Sequence, residues 1–102
     1  MYFVNWSILA EITFSEEVEF IFEKWNQNEV DNFSFLVKEN LHRLSINPLI
    51  GNLYSNKKIY FFVISKQTTL FYKISITELK IDLILFWNNK KNPKLLDKYL
   101  ND

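Results

Sequence analysis

The stretch TLFYKISITELKIDLILFWN, residues 69–88, decides the fold, because it holds two strand patterns joined by a short turn. The first pattern, 69–74, alternates between two faces, and one face carries Leu70, Tyr72 and Ile74. SITE, residues 75–78, predicts the turn. Two strands joined by so short a turn pair antiparallel, so this stretch predicts part of a meander.

The second pattern is apolar on both of its faces. One face is predicted to carry Leu79, Ile81, Leu83, Leu85 and Trp87. The opposite face begins with Lys80 and Asp82 and becomes apolar at Ile84 and Phe86. A strand covered on both sides lies inside a sheet, so a central position is expected.

Upstream of this hairpin, the run Ile59–Ile64 is dense in aromatic and branched residues, and SKQT, residues 65–68, turns the chain after it. These features predict a third strand of the meander. Before it, NPLIG, residues 47–51, ends a helix, because a residue that precedes proline avoids the helical region. Gly51 is expected to supply a permissive backbone there.

Two amphipathic helices are predicted ahead of NPLIG, joined at NQN, residues 26–28. Apolar residues recur at steps of three and four in both helices: Ala10, Phe14, Val18, Ile21, Phe22 and Trp25 in the first, and Val30, Phe33, Val37, Leu41 and Leu44 in the second, widened by Phe35 and Leu36. Ser7 is the expected N-cap of the first helix. Thr13 with Glu16 offers a later start as a capping box, but the continuous phase from Ala10 favours the early one. The solvent side of this helix is predicted to carry Glu16, Glu17, Glu19 and Glu23.

With a short strand at Tyr2–Trp6, these elements predict one α+β domain over residues 1–102. It consists of an N-terminal strand, an antiparallel two-helix hairpin and a three-stranded antiparallel meander. The helices are expected on one face of the sheet. The tail PKLLDKYLND, residues 93–102, adds one helical turn or two.

The composition excludes several classes of protein. Hydrophobic residues make up 48% of the chain and aromatic residues 18%, which provides a core and argues against disorder. There is no cysteine, so disulfide scaffolds and thiolate sites are excluded, and a reducing compartment fits. We expect no signal peptide at MYFVNWSILAEITF and no membrane-spanning segment, since no apolar run approaches ~20 residues.

Little in the sequence indicates catalysis or a cofactor. His42 is the only histidine, and one glycine cannot build a phosphate-binding loop, so neither a zinc site nor a cofactor is expected. Glu16 with Glu19 or Glu23 provides a carboxylate pair in principle, but a solvated helix face explains these residues as well.

Charge is distributed unevenly, although the formal net charge is zero. Residues 1–46 hold eight acids and three bases, giving −5, while residues 47–102 hold four acids and nine bases, giving +5. This asymmetry fits either two differently solvated surfaces or a second half that faces an anionic partner.

Lysines are the remaining candidates for a site. The candidate target- or phosphate-binding residues are Lys57, Lys58, Lys66, Lys90 and Lys91. In a meander the turn at Lys66 and the elbow at Lys90 and Lys91 meet at one end of the sheet. Lysines bind phosphate as point charges, and they also protect sheet ends and keep surfaces hydrated. The sequence leaves both roles open.

The order of these motifs resembles the RelE/ParE superfamily of type II toxin–antitoxin toxins. The resemblance rests on a strand ending in WS, an alanine three residues later, a helical hairpin, NPLIG and TLFYKI…IDLILFWNNKKNP, and it covers nearly the whole chain. It implies a bacterial cytoplasmic toxin that inhibits growth and forms a hetero-oligomer with a cognate antitoxin. It implies no cofactor and no membrane partner.

The resemblance leaves the target open between DNA gyrase, as for ParE-like toxins, and the ribosome with its mRNA, as for RelE-like endoribonucleases. Lys57, Lys58, Lys66, Lys90 and Lys91 fall near basic positions of the RelE-like nucleases, and Tyr99 is the tyrosine nearest the C-terminus. The only arginine, Arg43, lies on a helix, and lysine lacks its bidentate fork. We therefore expect a ParE-like, non-enzymatic toxin, with a ribosome-dependent nuclease or a degenerate interaction module as alternatives.

Overall fold

The computed structural model describes residues 1–55 and 58–100, which form five strands, three α-helices and a 3-10 turn. In chain order these are β1 Phe3–Trp6, α1 Ile8–Lys24, α2 Gln27–Ile46, the 3-10 turn Pro48–Ile50, β2 Asn52–Ser55, β3 Ile59–Val63, β4 Thr68–Ser75, β5 Lys80–Asn88 and α3 Pro93–Leu100. None of the helices in these two ranges is long and apolar enough to cross a membrane.

The strands form one sheet in the order β1-β5-β4-β3-β2. β1 pairs parallel with β5, and the other pairs are antiparallel. The predicted α+β class and element order are confirmed, and β5 lies inside the sheet as expected. β2 is an additional edge strand that extends the meander to four strands. Its four residues, NLYS, are too few to carry an alternation that sequence reasoning detects.

Both predicted helices begin at side-chain caps. The Ser7 hydroxyl accepts a hydrogen bond from the Ala10 amide at 2.9 Å, which confirms the early start of α1. Asn26 caps α2 in the same way, accepting from the Glu29 amide at 2.9 Å. The two helices are therefore separated only by Trp25 and Asn26, which folds them into a hairpin.

Apolar residues fill both faces of the sheet. On the helix side the core includes an aromatic group in which Phe86 lies 5.3 Å from Trp6 and 5.5 Å from Phe14, measured between ring centroids. Such pairs contribute about 0.5–1.5 kcal/mol each beyond the area they bury. The opposite face is covered by α3, whose Leu96 and Leu100 pack into a second cluster. The predicted helical tail is thus part of the core.

A β-bulge in β5 corrects the predicted faces of that strand. Leu85 pairs with Phe71 while Leu83 pairs with Tyr72, so Ile84 is an extra residue in the ladder. Leu83 therefore packs on the helix side, and Leu85 and Trp87 pack on the side of α3. The single face predicted from alternation is wrong beyond Leu83, because one inserted residue moves every later side chain to the other face.

The bulge coincides with the end of β1, whose last pair is Trp6 with Leu83. Beyond this point α1 replaces β1 beside β5. The Ser7 hydroxyl donates to the Ile84 carbonyl at 3.0 Å, and the Phe86 amide donates to the Thr13 hydroxyl at 2.9 Å. Side chains of α1 thus satisfy backbone groups that no neighbouring strand reaches.

Gly51 has a different role from the one expected. Its backbone is extended (φ −79°, ψ −178°), a conformation that any residue adopts. A methyl group at this position would overlap the Tyr72 hydroxyl and lie 2.7 Å from the Phe61 carbonyl oxygen. Glycine is therefore needed for close approach, which lets Tyr72 donate to the Pro48 carbonyl at 2.7 Å.

The predicted faces of α1 also need correction. Phe22 and Trp25, which the helical periodicity places on the buried stripe, are 54% and 44% exposed. Glu17, placed on the solvent side, is only 4% exposed. Positions 10, 14, 17 and 21 lie on the same face of the helix, so the position of Glu17 indicates burial. Only its residue type, a carboxylate, indicates exposure.

Candidate functional site

Two asparagines hold the elbow that follows β5. The Asn89 amide donates to the Gln67 carbonyl at 2.7 Å, and its side chain donates to the Lys66 carbonyl at 3.3 Å. The Thr69 hydroxyl donates to the Asn89 side-chain oxygen at 2.8 Å. These bonds tie the elbow to the β3–β4 turn, so Lys66 lies beside Lys90 and Lys91 as the meander predicts.

The second asparagine fixes the elbow to α1. The Asn88 side chain donates to the buried Glu17 carboxylate at 3.0 Å and accepts from the Lys90 amide at 3.0 Å. The Thr68 hydroxyl donates to the other Glu17 oxygen at 2.5 Å. A buried carboxylate is stable here because both oxygens accept hydrogen bonds. Glu17 thereby positions the backbone from which Lys90 projects.

A further lysine joins this surface from the end of α1. The Lys24 amino group lies 4.9 Å above the Trp25 ring and is a neighbour of the Lys90 amino group. The contact with Lys90, followed by burial and by repulsion between the two charges, lowers the pKa of Lys24. We call Lys24, Lys66, Lys90 and Lys91 the basic end of the sheet. None of these four lysines makes an ion pair within residues 1–55 and 58–100.

The other two candidate lysines do not belong to the basic end. Lys58 precedes β3, whose first residue, Ile59, pairs with Lys73 near the far end of β4. Lys58 is exposed and has φ 62°. Lys57 lies outside the described residues. The structure thus brings together three of the five predicted lysines and separates Lys58 from them.

A cavity of about 170 Å³ opens beside Lys66, between the helical hairpin and the β3–β4 turn. We call it the hairpin cavity. Its apolar lining comes from the helices: Ile21, Trp25, Phe33 and Leu36. Its polar lining combines helix and turn residues: Glu29, Asn32, Ser65, Lys66 and Gln67. The cavity and the basic end therefore form one continuous surface.

A larger groove of about 840 Å³ lies at the other end of the sheet. Its rim carries four exposed apolar side chains: Ile46 (60% exposed), Leu49 (63%), Leu53 (58%) and Ile76 (70%). Tyr60 and Lys58 also line it, and we call it the apolar groove. Apolar side chains concentrated in one concavity are typical of a docking surface.

The other residues singled out by sequence lie away from the basic end. His42 is exposed on α2, and Arg43 donates to the Asn40 side chain at 3.1 Å and lies 5.6 Å from the Phe62 ring. Tyr99 is 54% exposed on α3. Within the described part of the chain no cluster of three or more histidine or acidic residues is arranged for a metal.

Sequence reasoning missed Lys24 at this surface and, behind it, the two buried residues Glu17 and Asn88. Lys24 is distant in sequence from the other lysines, and only the packing of α1 along β5 brings it to Lys90. For Glu17 a signal existed, because it occupies the phase of Ala10 and Ile21 on an otherwise buried stripe.

Three solved structures resemble this chain in fold. The RelE toxin of Escherichia coli aligns over 99% of this chain and 98% of its own, with a TM-score of 0.62 and 13% identity. The RelBE2 toxin–antitoxin complex of Mycobacterium tuberculosis contains a chain that aligns over 86% and 98%, with a TM-score of 0.61 and 14% identity. A YoeB/ParE toxin from Agrobacterium tumefaciens aligns over 85% and 98%, with a TM-score of 0.59 and 13% identity.

Neither a scan against protein-family models nor a search of curated proteins gives a match. The three alignments nevertheless cover nearly all of each toxin chain. The chain therefore has the RelE/ParE toxin fold, and the resemblance found in the sequence is confirmed at the level of the fold.

Proposed function

We propose that this chain is the toxin of a type II toxin–antitoxin system, a cytoplasmic growth inhibitor neutralised by a cognate antitoxin. The observation that carries the proposal is the agreement in fold with three toxins over 85–99% of the chain. Fold alone does not fix function. The two ends of the sheet therefore supply the further support.

The apolar groove supports a protein partner. Leu49, Leu53 and Ile76 are each more than half exposed in one concavity, and a partner segment that covered them would bury apolar surface worth about 25 cal/mol per Å². β2 and β1 are the two edge strands, so an extended segment is able to add to the sheet and a helix to fill the groove. One of the similar structures is itself a toxin–antitoxin complex. We infer a hetero-oligomer with the antitoxin.

The basic end supports a target that is bound rather than cleaved. Its cationic residues are all lysines, and His42 and Arg43 lie elsewhere on α2. Glu17, the carboxylate that bonds to Asn88 at the start of the elbow, is buried and already accepts two hydrogen bonds. Cleavage of RNA here would rely on lysine charge alone, without the bidentate contact of arginine. We therefore favour a ParE-like toxin directed at DNA gyrase.

A ribosome-dependent endoribonuclease is the second candidate, and one observation favours it. Lys66, Lys90 and Lys91 converge without acidic partners, as residues that hold a phosphate backbone would. In that case Lys58 contributes from the opposite end or not at all.

Tightly controlled induction of this chain in a bacterial host tests the proposal. We expect growth arrest, altered plasmid supercoiling and intact transcripts. Shortened transcripts that disappear in Lys90→Ala/Lys91→Ala, but persist in the matched control Lys94→Ala/Lys98→Ala, would establish the nuclease instead. Normal growth at confirmed folded expression would contradict the toxin function and leave an interaction module.

A further inference from the structure

The hairpin cavity has the size of a single aromatic ring. A cavity of about 150 Å³ in an engineered protein takes up benzene, and the hairpin cavity measures about 170 Å³. Its floor is apolar, with Ile21 and Phe33 buried beneath it. The cavity is therefore large enough for a flat heterocycle.

The wall of the cavity offers a surface for stacking. Trp25 lines it and is 44% exposed, although its side chain is among the largest apolar groups of the chain. Stacking of a nucleobase on an aromatic side chain contributes about 1–3 kcal/mol and tolerates every base. An exposed tryptophan on a concave wall is thus suited to a base.

The rim of the cavity offers unused hydrogen-bonding groups. Within the described residues, the side chains of Glu29, Asn32 and Gln67 make no hydrogen bond to other protein groups. Side-chain amides match the edges of adenine, and carboxylates accept from exocyclic amino groups. These three groups thus provide donors and acceptors for a base edge.

Three lysines meet at the mouth of the cavity, and Glu29 is the one carboxylate among its described lining residues. Lys66 lines the cavity directly, Lys24 adjoins Trp25, and Lys90 lies beside Lys24. Like charges held close together favour an anion, because it relieves their repulsion. Lysine amino groups bind phosphate as point charges.

We propose that the hairpin cavity and the adjoining lysines form a site for a nucleoside phosphate. The base occupies the cavity against Trp25, and the phosphate contacts Lys24, Lys66 and Lys90. An acidic peptide with one apolar anchor fits less well, because it would bring further carboxylates to Glu29, whereas a base presents amino groups to it. The site rests on these contacts and not on the function proposed above.

A titration of the purified, ¹⁵N-labelled full chain tests this site by NMR. The probes are ADP, CMP and inorganic pyrophosphate. With the nucleotides, we expect saturable shifts of the Trp25 indole N–H and the side-chain amides of Asn32 and Gln67. Pyrophosphate should leave these signals unchanged, shift the backbone amides of the neighbouring lysines instead, and bind at least tenfold more weakly than ADP.

Variants separate the cavity from the lysines. Trp25→Ala and Asn32→Ala should each weaken ADP binding fivefold or more and leave pyrophosphate binding unchanged. Lys66→Ala should weaken both. The control Lys98→Ala, on an exposed position of α3, should change neither, and a preserved spectrum shows that each variant folds.

Two results would overturn the site. One is equal affinity for ADP and pyrophosphate together with no effect of Trp25→Ala, which would mean that the lysines act alone. The other is saturation of the same signals by a glutamate-rich peptide containing leucine, but not by nucleotides. A 5′-phosphorylated trinucleotide distinguishes the source: tighter binding than ADP indicates a nucleic-acid end, and equal or weaker binding indicates a free nucleotide.

Discussion

The side chain of Asn88 donates a hydrogen bond to the buried carboxylate of Glu17 at 3.0 Å and joins the first helix to the last strand. Both residues are at least 94% buried, with exposures of 4% and 6%. The same asparagine accepts from the Lys90 amide. One hydrogen-bonded chain therefore runs from the interior of α1 to the lysines at the surface.

Removal of the Glu17 carboxylate should destabilise the protein strongly. Glu17→Ala leaves the Thr68 hydroxyl and the Asn88 amide buried without an acceptor, which costs about 1–3 kcal/mol for each group. We expect the free energy of unfolding, measured with urea, to fall by roughly 2–6 kcal/mol. Glu17→Gln keeps the shape but only one acceptor oxygen, so an intermediate loss is expected.

The matched control for this change is Glu16→Ala, one residue away on the exposed face of α1. It should change the free energy of unfolding by less than about 0.5 kcal/mol. Equal effects of the two substitutions would contradict the structural role of the Glu17 network.

The Thr13 hydroxyl is expected to contribute to stability chiefly by accepting the hydrogen bond of the Phe86 amide. In Thr13→Val the Phe86 amide loses its acceptor on the edge of β5 that β1 no longer covers, while side-chain volume is kept. The free energy of unfolding should fall by about 1–3 kcal/mol. Thr77→Val, at an exposed turn position, is the control. If both variants unfold at the same urea concentration, α1 does not substitute for a strand in the way described.

Gly51 and Tyr72 should be energetically coupled. Gly51→Ala places a methyl group against the Tyr72 hydroxyl, and such overpacking costs about 1–3 kcal/mol. Tyr72→Phe removes the hydroxyl together with its bond to Pro48, at a cost of about 1 kcal/mol. The loss in the free energy of unfolding of the double variant should be smaller than the sum of the two single losses, by about 0.5–1 kcal/mol.

Urea unfolding of the four proteins in this cycle measures that coupling. The rescue is expected to be partial, because the Phe61 carbonyl oxygen remains 2.7 Å from the added methyl group. Strict additivity would show that the overlap with Tyr72 is relieved by other movements.

Alternation and helical phase were sufficient to predict the element order, because a strand covered on two sides and two amphipathic helices allow few arrangements. Alternation failed to predict the faces of β5 beyond Ile84. A bulge does not change the composition of a strand that is already apolar on both faces, so it is not visible in the sequence. Glu17 was misassigned because a carboxylate is rarely buried. Its burial is favourable because Thr68 and Asn88, which come much later in the sequence, supply the hydrogen-bond partners.

The sequence predicts the part of the candidate site that depends on strands adjacent in the chain and on the short turns between them. Lys66 lies in the turn before β4, and the Lys90–Lys91 elbow follows β5. Because β4 and β5 are antiparallel neighbours, the start of one and the end of the other meet whatever the rest of the fold. Lys24 reaches them through tertiary packing, and the hairpin cavity depends on Trp25 being exposed where periodicity places it in the core. Neither feature leaves a signal in a single sequence.

The stability of the protein should fall at alkaline pH in a window set by Tyr72. Burial raises the pKa of this hydroxyl from an ordinary 10.0 to about 12, Tyr60 adds to the shift, and the backbone at Gly51 opposes it. Below pH 10 the hydroxyl is protonated in both states. Between pH 10 and about 12 the unfolded chain releases its proton and the folded chain retains it, so the free energy of unfolding decreases as pH rises.

Urea unfolding between pH 8 and pH 11.5, compared for the wild type and Tyr72→Phe, isolates this contribution, because the lysines and the other tyrosines titrate in both proteins. The wild type should be the more stable of the two by a constant amount up to about pH 9.5 and should lose that advantage as the pH rises further. A difference that stays constant through pH 11.5 would mean that Tyr72 ionises equally readily in the folded and unfolded states. Its hydroxyl would then not be held in the buried contact with Pro48.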